Sequence, residues 1–450
     1  MSVRYLSAAL CAATLLFAAA PQALATQPRI DSMGGGVKSI TIEDEVNIFD
    51  FPSLLVRYGN MTYLDNLHVG QPFPNGRFGF HFNLGDDTVL AVVGSSTKSS
   101  TRATNNTGAA GDTGFTPTGN PITGGQSLGI GAEASEAPEA NGGSQGAIGS
   151  VEHRYGILFA TVLGSSTRFG VMLNILADND DIEQPDGAKV DQGGFLFDLA
   201  VGLGLDLEGS ELELSAGLAL GFADDFRDAV SASTGQNTDL LEHNSVSHFG
   251  LRVAGRWTFD FFNQSKIVAY TTFLLGSQSV EQQNVAPGTF VPSGSYSGIN
   301  WALGADWRLE PFKGVIVSPG IGIRIAQLTL EGSTQTNRDA DQLIQLPFYG
   351  VGVDLEVADW IDVRFGASQS VNVMRDSDTN VVAQGVTTQH DTTDVATNFA
   401  LGVGLHIPVS ESTLTVDLNV NPDILINGPY LLTGSTTDQF GLNAAVKYAW

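Results

Sequence analysis

The stretch "FLFDLAVGLGLDLEGSELELSAGLALGF", residues 195–222, alternates large apolar residues with small or charged ones. Successive side chains of a strand point to opposite faces, so this pattern predicts a β-hairpin with one apolar face. The other face carries mainly glycine, alanine and acidic residues, which would make a thin core. The apolar face therefore packs against a second sheet in a soluble sandwich, or it contacts lipid in a membrane-spanning barrel.

The beginning of the chain favours export. Arg4 precedes a short apolar run that ends at Ala23-Leu24-Ala25, an A-x-A cleavage pattern, so we expect residues 1–25 to be a signal peptide. Cys11, the one cysteine of the chain, lies in that run, which leaves the mature protein without a disulfide or a thiolate metal site. No later apolar run reaches the roughly 20 residues of a transmembrane helix, so any membrane crossing is made by strands.

The hairpin pattern recurs along the rest of the chain, and tight connections alternate with long polar ones. Residues 85–87 and 164–166 are tight, whereas 97–149, 224–244 and 372–395 are predicted loops. Short periplasmic turns and long extracellular loops are typical of outer-membrane barrels. We therefore predict an all-β fold, a transmembrane antiparallel β-barrel of about sixteen strands with fourteen as the alternative, in the cell outer membrane.

The last eleven residues, "FGLNAAVKYAW", alternate in the same way and end on Trp450. They resemble the terminal strand of bacterial outer-membrane barrels, and the resemblance implies recognition by the barrel-assembly machinery. The other expected partners are outer-membrane lipid and lipopolysaccharide on the apolar face. Three regions result: a signal peptide (1–25), an N-terminal periplasmic or plug segment (26–59), and the barrel (60–450) with a long low-complexity loop at 97–149.

The segment before the first strand, "EDEVNIFDFPSLLVRYGN", combines acidic residues, aromatic residues and a proline. Its Asp44-Glu45 pair and Phe49 resemble the corresponding segment of the long-chain fatty-acid outer-membrane transporter family, although Phe51-Pro52-Ser53 stands where that family has Asn-Pro-Ala. The resemblance implies a plug in the lumen. We expect it near the periplasmic mouth, with Asp44, Glu45 and Asp50 reaching inward cations such as Arg256, Arg308 or Arg364.

Charged residues of both signs fall on the predicted inward face, where they would line the pore. The candidates are Arg77, Arg168, Asp198, Arg252, Arg256, Asp306, Arg308, Arg324, Asp354, Glu356, Asp362 and Arg364. Such charges can orient small polar solutes, or they can neutralise one another and merely hold the wall in shape. The sequence therefore predicts a porin-like channel for small solutes. A plugged transporter for hydrophobic molecules and a structural surface barrel remain alternatives.

Other functional classes find little support in the sequence. "GSYSG" has Tyr296 where a nucleophilic serine would stand, and the seven histidines show no metal-ligand spacing. "DNDDIEQPDG" resembles a calcium loop but has Glu183 at the sixth position, where glycine is required. A formal net charge of -27 disfavours nucleic acid as a partner. We expect no catalytic site, no metal and no cofactor.

Overall fold

The computed structural model of this 450-residue chain describes residues 27–33, 38–69, 76–96, 153–183, 189–230, 237–262, 265–283, 294–332, 337–380, 386–410, 412–420 and 442–450. Within them, sixteen antiparallel strands form one closed barrel in which each strand pairs with its sequence neighbours and β16 pairs with β1. The predicted fold class and strand count are confirmed. None of the helices among these residues has the length and apolar character needed to cross a membrane.

Among the described residues, four short helices precede the barrel. They are α1 (Gln27–Ser32), α2 (Lys38–Thr41) and two 3-10 helices (Glu45–Phe49 and Pro52–Arg57). The strands are β1 (Met61–Val69), β2 (Gly76–Gly85), β3 (Thr88–Ser96), β4 (His153–Leu163), β5 (Thr167–Glu183), β6 (Lys189–Leu207), β7 (Ser210–Val230), β8 (Asn237–Phe262), β9 (Ser265–Gln283), β10 (Gly294–Phe312), β11 (Val315–Gly332), β12 (Asn337–Ala358), β13 (Ile361–Asn380), β14 (Val386–Val409), β15 (Ser412–Val420) and β16 (Leu442–Ala449).

Tight turns join the strands at one end of the barrel, called here the short-turn end. Gly164, Gly209 and Gly314 occupy such turns with φ angles of 73°, 71° and 75°. A residue with a Cβ atom is strained at these angles, which explains glycine there. Because consecutive strands are antiparallel, the free ends of β1 and β16 also lie at this end, where the Trp450 amide donates a 3.0 Å hydrogen bond to the Asn60 carbonyl.

The apolar face of the barrel wall points outward. In β6, Val201 and Leu203 are 41% and 36% exposed, whereas the alternate residues Asp198 and Ala200 are 4% and 1% exposed. The same contrast holds around the barrel, so the hairpin at 195–222 presents its apolar side to the surroundings and its small and charged side to the lumen.

Aromatic side chains mark the outer wall near the strand ends. Trp257, Trp307 and Trp360 are 50%, 42% and 58% exposed towards the short-turn end, and Tyr155 is 59% exposed near the opposite end of β4. Tryptophan and tyrosine favour the interface between lipid and water. The outer surface thus has the layered composition of a membrane-spanning barrel.

Several strands continue beyond their predicted ends. Residues 224–244 and 372–395, predicted as loops, lie largely in β7, β8, β13 and β14. These extensions are polar and lack the alternation from which strands were predicted, although their backbone pairing continues. The predicted loop 97–149 and the predicted signal peptide 1–25 lie outside the described residues.

Candidate functional site, a lumen closed by the N-terminal segment

Residues 27–33 and 38–58, called here the plug, lie inside the barrel at its short-turn end. They contact inward-facing residues of strands around the whole wall, for example His81 on β2, Glu213 on β7, Asp354 on β12 and Lys447 on β16. A segment that reaches all these strands must pass through the lumen. The N-terminal part of the plug (27–33) packs mainly on β13–β16 and β1, and the C-terminal part (38–58) reaches β3–β6.

Four wall glycines let the plug backbone approach closely. A Cβ atom on Gly170 would lie 2.3 Å from the carbonyl carbon of Pro52, and one on Gly202 would lie 2.8 Å from the Ser53 amide nitrogen. On the other side of the barrel, a Cβ on Gly402 would lie 2.3 Å from Ser32 Cβ, and one on Gly352 would lie 2.9 Å from the Met33 carbonyl oxygen. We call these glycines the seats of the plug, because any side chain there would displace it.

An apolar cluster holds the C-terminal part. On the plug it comprises Ile40, Ile48, Phe49, Phe51, Leu54, Leu55 and Tyr58, and on the wall it includes Val89, Ala91, Val93, Leu158, Ala160 and Met172. These wall residues belong to neighbouring strands β3, β4 and β5, so the lumen has one apolar side. Burial of such side chains is worth about 1.5–3 kcal/mol each, which makes this cluster the main anchor of the plug.

Two arginines of β8 bind the plug from the wall. Arg252 donates a 3.0 Å hydrogen bond to the Phe49 carbonyl and lies 3.6 Å from the Asp50 carboxylate. Arg256 donates a 3.2 Å hydrogen bond to the Ile40 carbonyl, and its guanidinium carbon lies 5.2 Å from the centre of the Phe51 ring. Both arginines are almost fully buried, so these contacts are shielded from solvent.

Plug hydroxyls donate to carboxylates of the wall. Ser53 Oγ donates a 2.6 Å hydrogen bond to Glu213 on β7, and Thr41 Oγ1 donates one of 2.6 Å to Asp306 on β10. A third wall contact is made by the Tyr58 carbonyl, which accepts a 2.7 Å hydrogen bond from His81 Nδ1. A carbonyl can only accept, so the hydrogen of a neutral His81 resides on Nδ1.

Glu45 is a buried carboxylate of the plug whose pKa is shifted by its surroundings. Its carboxylate is buried beside Asp44, and Lys447 on β16 lies 3.6 Å away. Burial, together with the negative charge of Asp44, raises the pKa of Glu45 well above its ordinary value, while Lys447 works against that rise. Protonation of Glu45 is therefore linked to the seated position of the plug.

A separate ionic cluster lies under the N-terminal part. Arg29 of α1 donates a 3.0 Å hydrogen bond to Asp354 on β12. Arg364 on β13 also pairs with Asp354 at 3.4 Å, with Asp362 at 3.1 Å and with Asp417 on β15. Three wall carboxylates thus share Arg364, and the plug supplies a second guanidinium.

A third charged group lies at the short-turn mouth. Arg168 on β5 pairs with Glu211 at 2.7 Å and with Glu213 at 2.5 Å, both on β7. Arg57 of the plug lies 2.7 Å from Glu211 and also pairs with Glu43. Arg57 and Glu43 remain partly exposed, so this group forms the outer surface of the closed mouth.

The predicted pore-lining residues divide into several sets. Four of them contact the plug: Arg252, Arg256, Asp306 and Asp354. Three belong to the ionic clusters of the wall, namely Arg168, Asp362 and Arg364. Two form hydrogen bonds within the wall: Asp198 accepts one of 3.1 Å from Asn174, and Arg324 donates one of 3.1 Å to Asn300. Of the others, Arg308 is half-buried, Glu356 is exposed, and the side chain of Arg77 lies outside the described part. Asp50 lies 3.6 Å from Arg252 and Glu45 lies 3.6 Å from Lys447, two cations that were not named in the expectation for the plug carboxylates.

The sequence did not indicate which plug residues contact the barrel wall. Arg29, Thr41 and Ser53 showed no pattern that points to a wall partner. The sequence also did not single out Gly202, Gly352 and Gly402 from the other glycines of the alternating strands, although these three are seats.

Comparison with known proteins adds little. No family model matches the sequence, and no curated protein matches it. Three similar solved structures are the Pseudomonas putida toluene transporter TodX (9% identity, 96% of this chain and 99% of that one, TM-score 0.38), a Pseudomonas aeruginosa FadL homologue (11%, 94% and 97%, 0.37), and the ferric yersiniabactin uptake receptor FyuA from Yersinia pestis (8%, 80% and 68%, 0.37). Likeness at these TM-scores says nothing about activity.

The architecture itself assigns the compartment. A closed barrel pairs the backbone groups of every strand, which an apolar bilayer requires. Its outer wall is apolar with aromatic residues towards the strand ends, and its lumen is charged. The chain is an outer-membrane β-barrel protein.

Proposed function

We propose that this protein is a plugged outer-membrane channel, in which small solutes pass when residues 27–58 leave their seats. The observation that carries the proposal is the ring of plug contacts around the wall, from His81 through Glu213 and Asp354 to Lys447. These contacts close the short-turn mouth. The charged wall beneath the plug, with Arg252, Arg256 and Arg364, suits polar solutes more than apolar ones.

Single-channel recording in planar bilayers tests the proposal. A variant that lacks residues 27–58 keeps every strand, and we expect it to pass a larger current than the complete chain. A change of mobility on heating in detergent gels serves as the control that the variant barrel is folded. Equal currents from the two folded proteins would contradict the proposal. A large, steady current from the complete chain would favour the open porin-like alternative.

One observation favours a second candidate, a transporter of hydrophobic molecules. Val93, Leu158 and Met172 form part of an apolar strip on β3–β5 that the plug covers. Displacement of the plug would open that strip to an apolar solute. Accumulation of a hydrophobic fluorescent dye by cells that carry the protein, absent without it, would support this candidate over the polar channel.

We infer further that β16 is the part read by the barrel-assembly machinery. Tyr448 and Trp450 stack with ring centres 5.8 Å apart at its end. Replacing Trp450 with alanine should reduce the amount of folded barrel in the outer membrane, whereas Trp360→Ala should reduce it less. Equal losses would contradict a role specific to the terminal residue.

A further inference from the structure

We propose that the N-terminal part of the plug is a separate closure, and that its release alone opens a cation-selective path along β12–β15. This inference rests on the proposed function, since it requires that the plug controls flow. It adds which part of the plug moves first and which ions then pass.

The first argument is that the two parts of the plug sit on different walls. Residues 27–33 rest on Gly352 and Gly402, whereas residues 52–53 rest on Gly170 and Gly202 across the lumen. The two pairs of seats lie on strands β12 and β14 and on strands β5 and β6, respectively. Neither pair depends on the other.

The second argument is that the two parts are held by different forces. Seven plug side chains between Ile40 and Tyr58 belong to the apolar cluster. Ile30 and Met33 are buried, but neither belongs to that cluster as far as the described residues define it. The N-terminal part is tied to the wall by the pair between Arg29 and Asp354 and buries fewer apolar side chains than the C-terminal part, so we expect its release to cost less free energy.

The third argument is the charge left behind. With the plug seated, the Asp354 carboxylate forms ion pairs with both Arg29 and Arg364. Once Arg29 leaves, Asp354, Asp362 and Asp417 share Arg364, and Asp362 also accepts a 2.6 Å hydrogen bond from His406 on β14. Lys447 stays 3.6 Å from Glu45 of the C-terminal part, so its positive charge is offset at a pH where Glu45 is ionised.

A further cation of the wall, Arg308, reduces the expected preference of the path for cations. Arg308 on β10 lies within electrostatic range of Asp354 and of Glu310. Its charge opposes that of the carboxylates, so its removal should strengthen the preference for cations. Arg308 and Asp354 thus give two substitutions with opposite expected effects on the same path.

The test measures currents and reversal potentials in a tenfold KCl gradient. Deletion of residues 27–33, and the milder Arg29→Gln, should raise the current above that of the complete chain and shift the reversal potential towards that of potassium. In the deletion background, Asp354→Asn should reduce that shift and Arg308→Gln should increase it. Heat modification in detergent gels verifies that each variant is folded.

Two results would overturn the inference. One is an unchanged current from both the deletion and Arg29→Gln, while deletion of residues 27–58 still raises the current; the plug then opens as one body and the proposed function stands. The other is a reversal potential on the chloride side. If deletion of residues 27–58 also leaves the current unchanged, the proposed function itself fails.

Discussion

Lys447, in the last strand of the barrel, lies with its Nζ atom 3.6 Å from Oε2 of Glu45 in the plug, and both side chains are almost fully buried. The two residues come from opposite ends of the chain. The strand that closes the barrel therefore also helps to hold the segment that closes the lumen.

We expect acidification to favour the seated plug. Burial and Asp44 raise the pKa of Glu45 in the seated position, whereas a displaced plug exposes Glu45 and returns it to an ordinary carboxyl pKa. Seating therefore takes up a proton, and its free energy weakens as the pH rises through the raised pKa. Single-channel current should fall as the pH is lowered from about 8 to about 5.

The matched variants for this pH effect are Glu45→Gln and Asp359→Asn. Glu45→Gln removes the titrating group and should flatten the pH dependence. Asp359 lies exposed in the turn between β12 and β13, so its variant should keep the dependence. A current that rises on acidification in the complete chain would contradict the assignment to Glu45.

Substitution at a seat should displace the plug. Gly170→Val places a branched side chain where the Pro52 carbonyl carbon lies 2.3 Å from an ideal Cβ, so we expect a larger current. Gly217 is the control, because a Cβ there would lie 3.4 Å from its nearest neighbours, an ordinary contact. If Gly217→Ala opened the channel as much as Gly170→Val, the seats would have no special role.

The pair between Asp50 and Arg252 offers a charge-reversal test. Removing one member of a buried ion pair costs about 3–5 kcal/mol, because the other charge is left without its partner. In single-channel recordings, Asp50→Arg should therefore increase the fraction of time that the channel is open. The double variant Asp50→Arg with Arg252→Asp should reverse part of that increase. No recovery would indicate that the 3.6 Å approach contributes little to seating.

A disulfide should lock the N-terminal part of the plug. A Cβ on Gly352 would lie 3.1 Å from Met33 Cβ, slightly shorter than the roughly 3.5–4.5 Å of natural disulfides. Because a side chain at Gly352 displaces the plug, the reduced double variant Met33→Cys with Gly352→Cys should pass a larger current than the complete chain. Oxidation should cross-link the two residues and lower that current, and reduction should restore it. Each single variant should be insensitive to the reductant, and a double variant that never cross-links would place residue 33 elsewhere.

The face assignment can be tested on one strand and its neighbour. Leu203 points outward on β6, and Leu203→Arg should impair assembly by about 2–4 kcal/mol if it lies near the bilayer midplane. Gly217→Ser, on the inward face of β7, should assemble normally. Gly204 is a poorer control, since Arg168 and Glu213 lie within 3 Å of an ideal Cβ there. Yields of folded barrel provide the measurement, and equal losses would reverse inside and outside.

The sequence predicted the barrel because alternation reports directly on a wall with lipid on one face. The period of Phe195, Val201 and Leu203 needs no knowledge of distant residues. Alternation ends where the bilayer ends, so it could not show that β8 extends from Asn237 to Phe262. Polar strand extensions are paired by backbone hydrogen bonds, which leave no mark on side-chain pattern.

The partners of the plug were less predictable for a geometric reason. The acidic residues of the segment and its position before β1 predicted a plug whose carboxylates bind cationic side chains of the wall. Which cation each carboxylate meets depends on where the 3-10 helices stop and how the chain turns across the lumen. Asp50 lies 3.6 Å from Arg252, while Arg256, on the same face of β8, donates a hydrogen bond to the Ile40 carbonyl.

The seat glycines differ from other positions of the lumen in how they respond to substitution. At Gly170, Gly202, Gly352 and Gly402 every amino-acid replacement adds at least one carbon atom to a place that the plug already occupies. Random mutation at these codons can therefore change closure in one direction, towards leakiness, and a cell exposed to toxic solutes would lose such alleles first. At Gly217, by contrast, an added Cβ atom would make only ordinary contacts, the nearest at 3.4 Å.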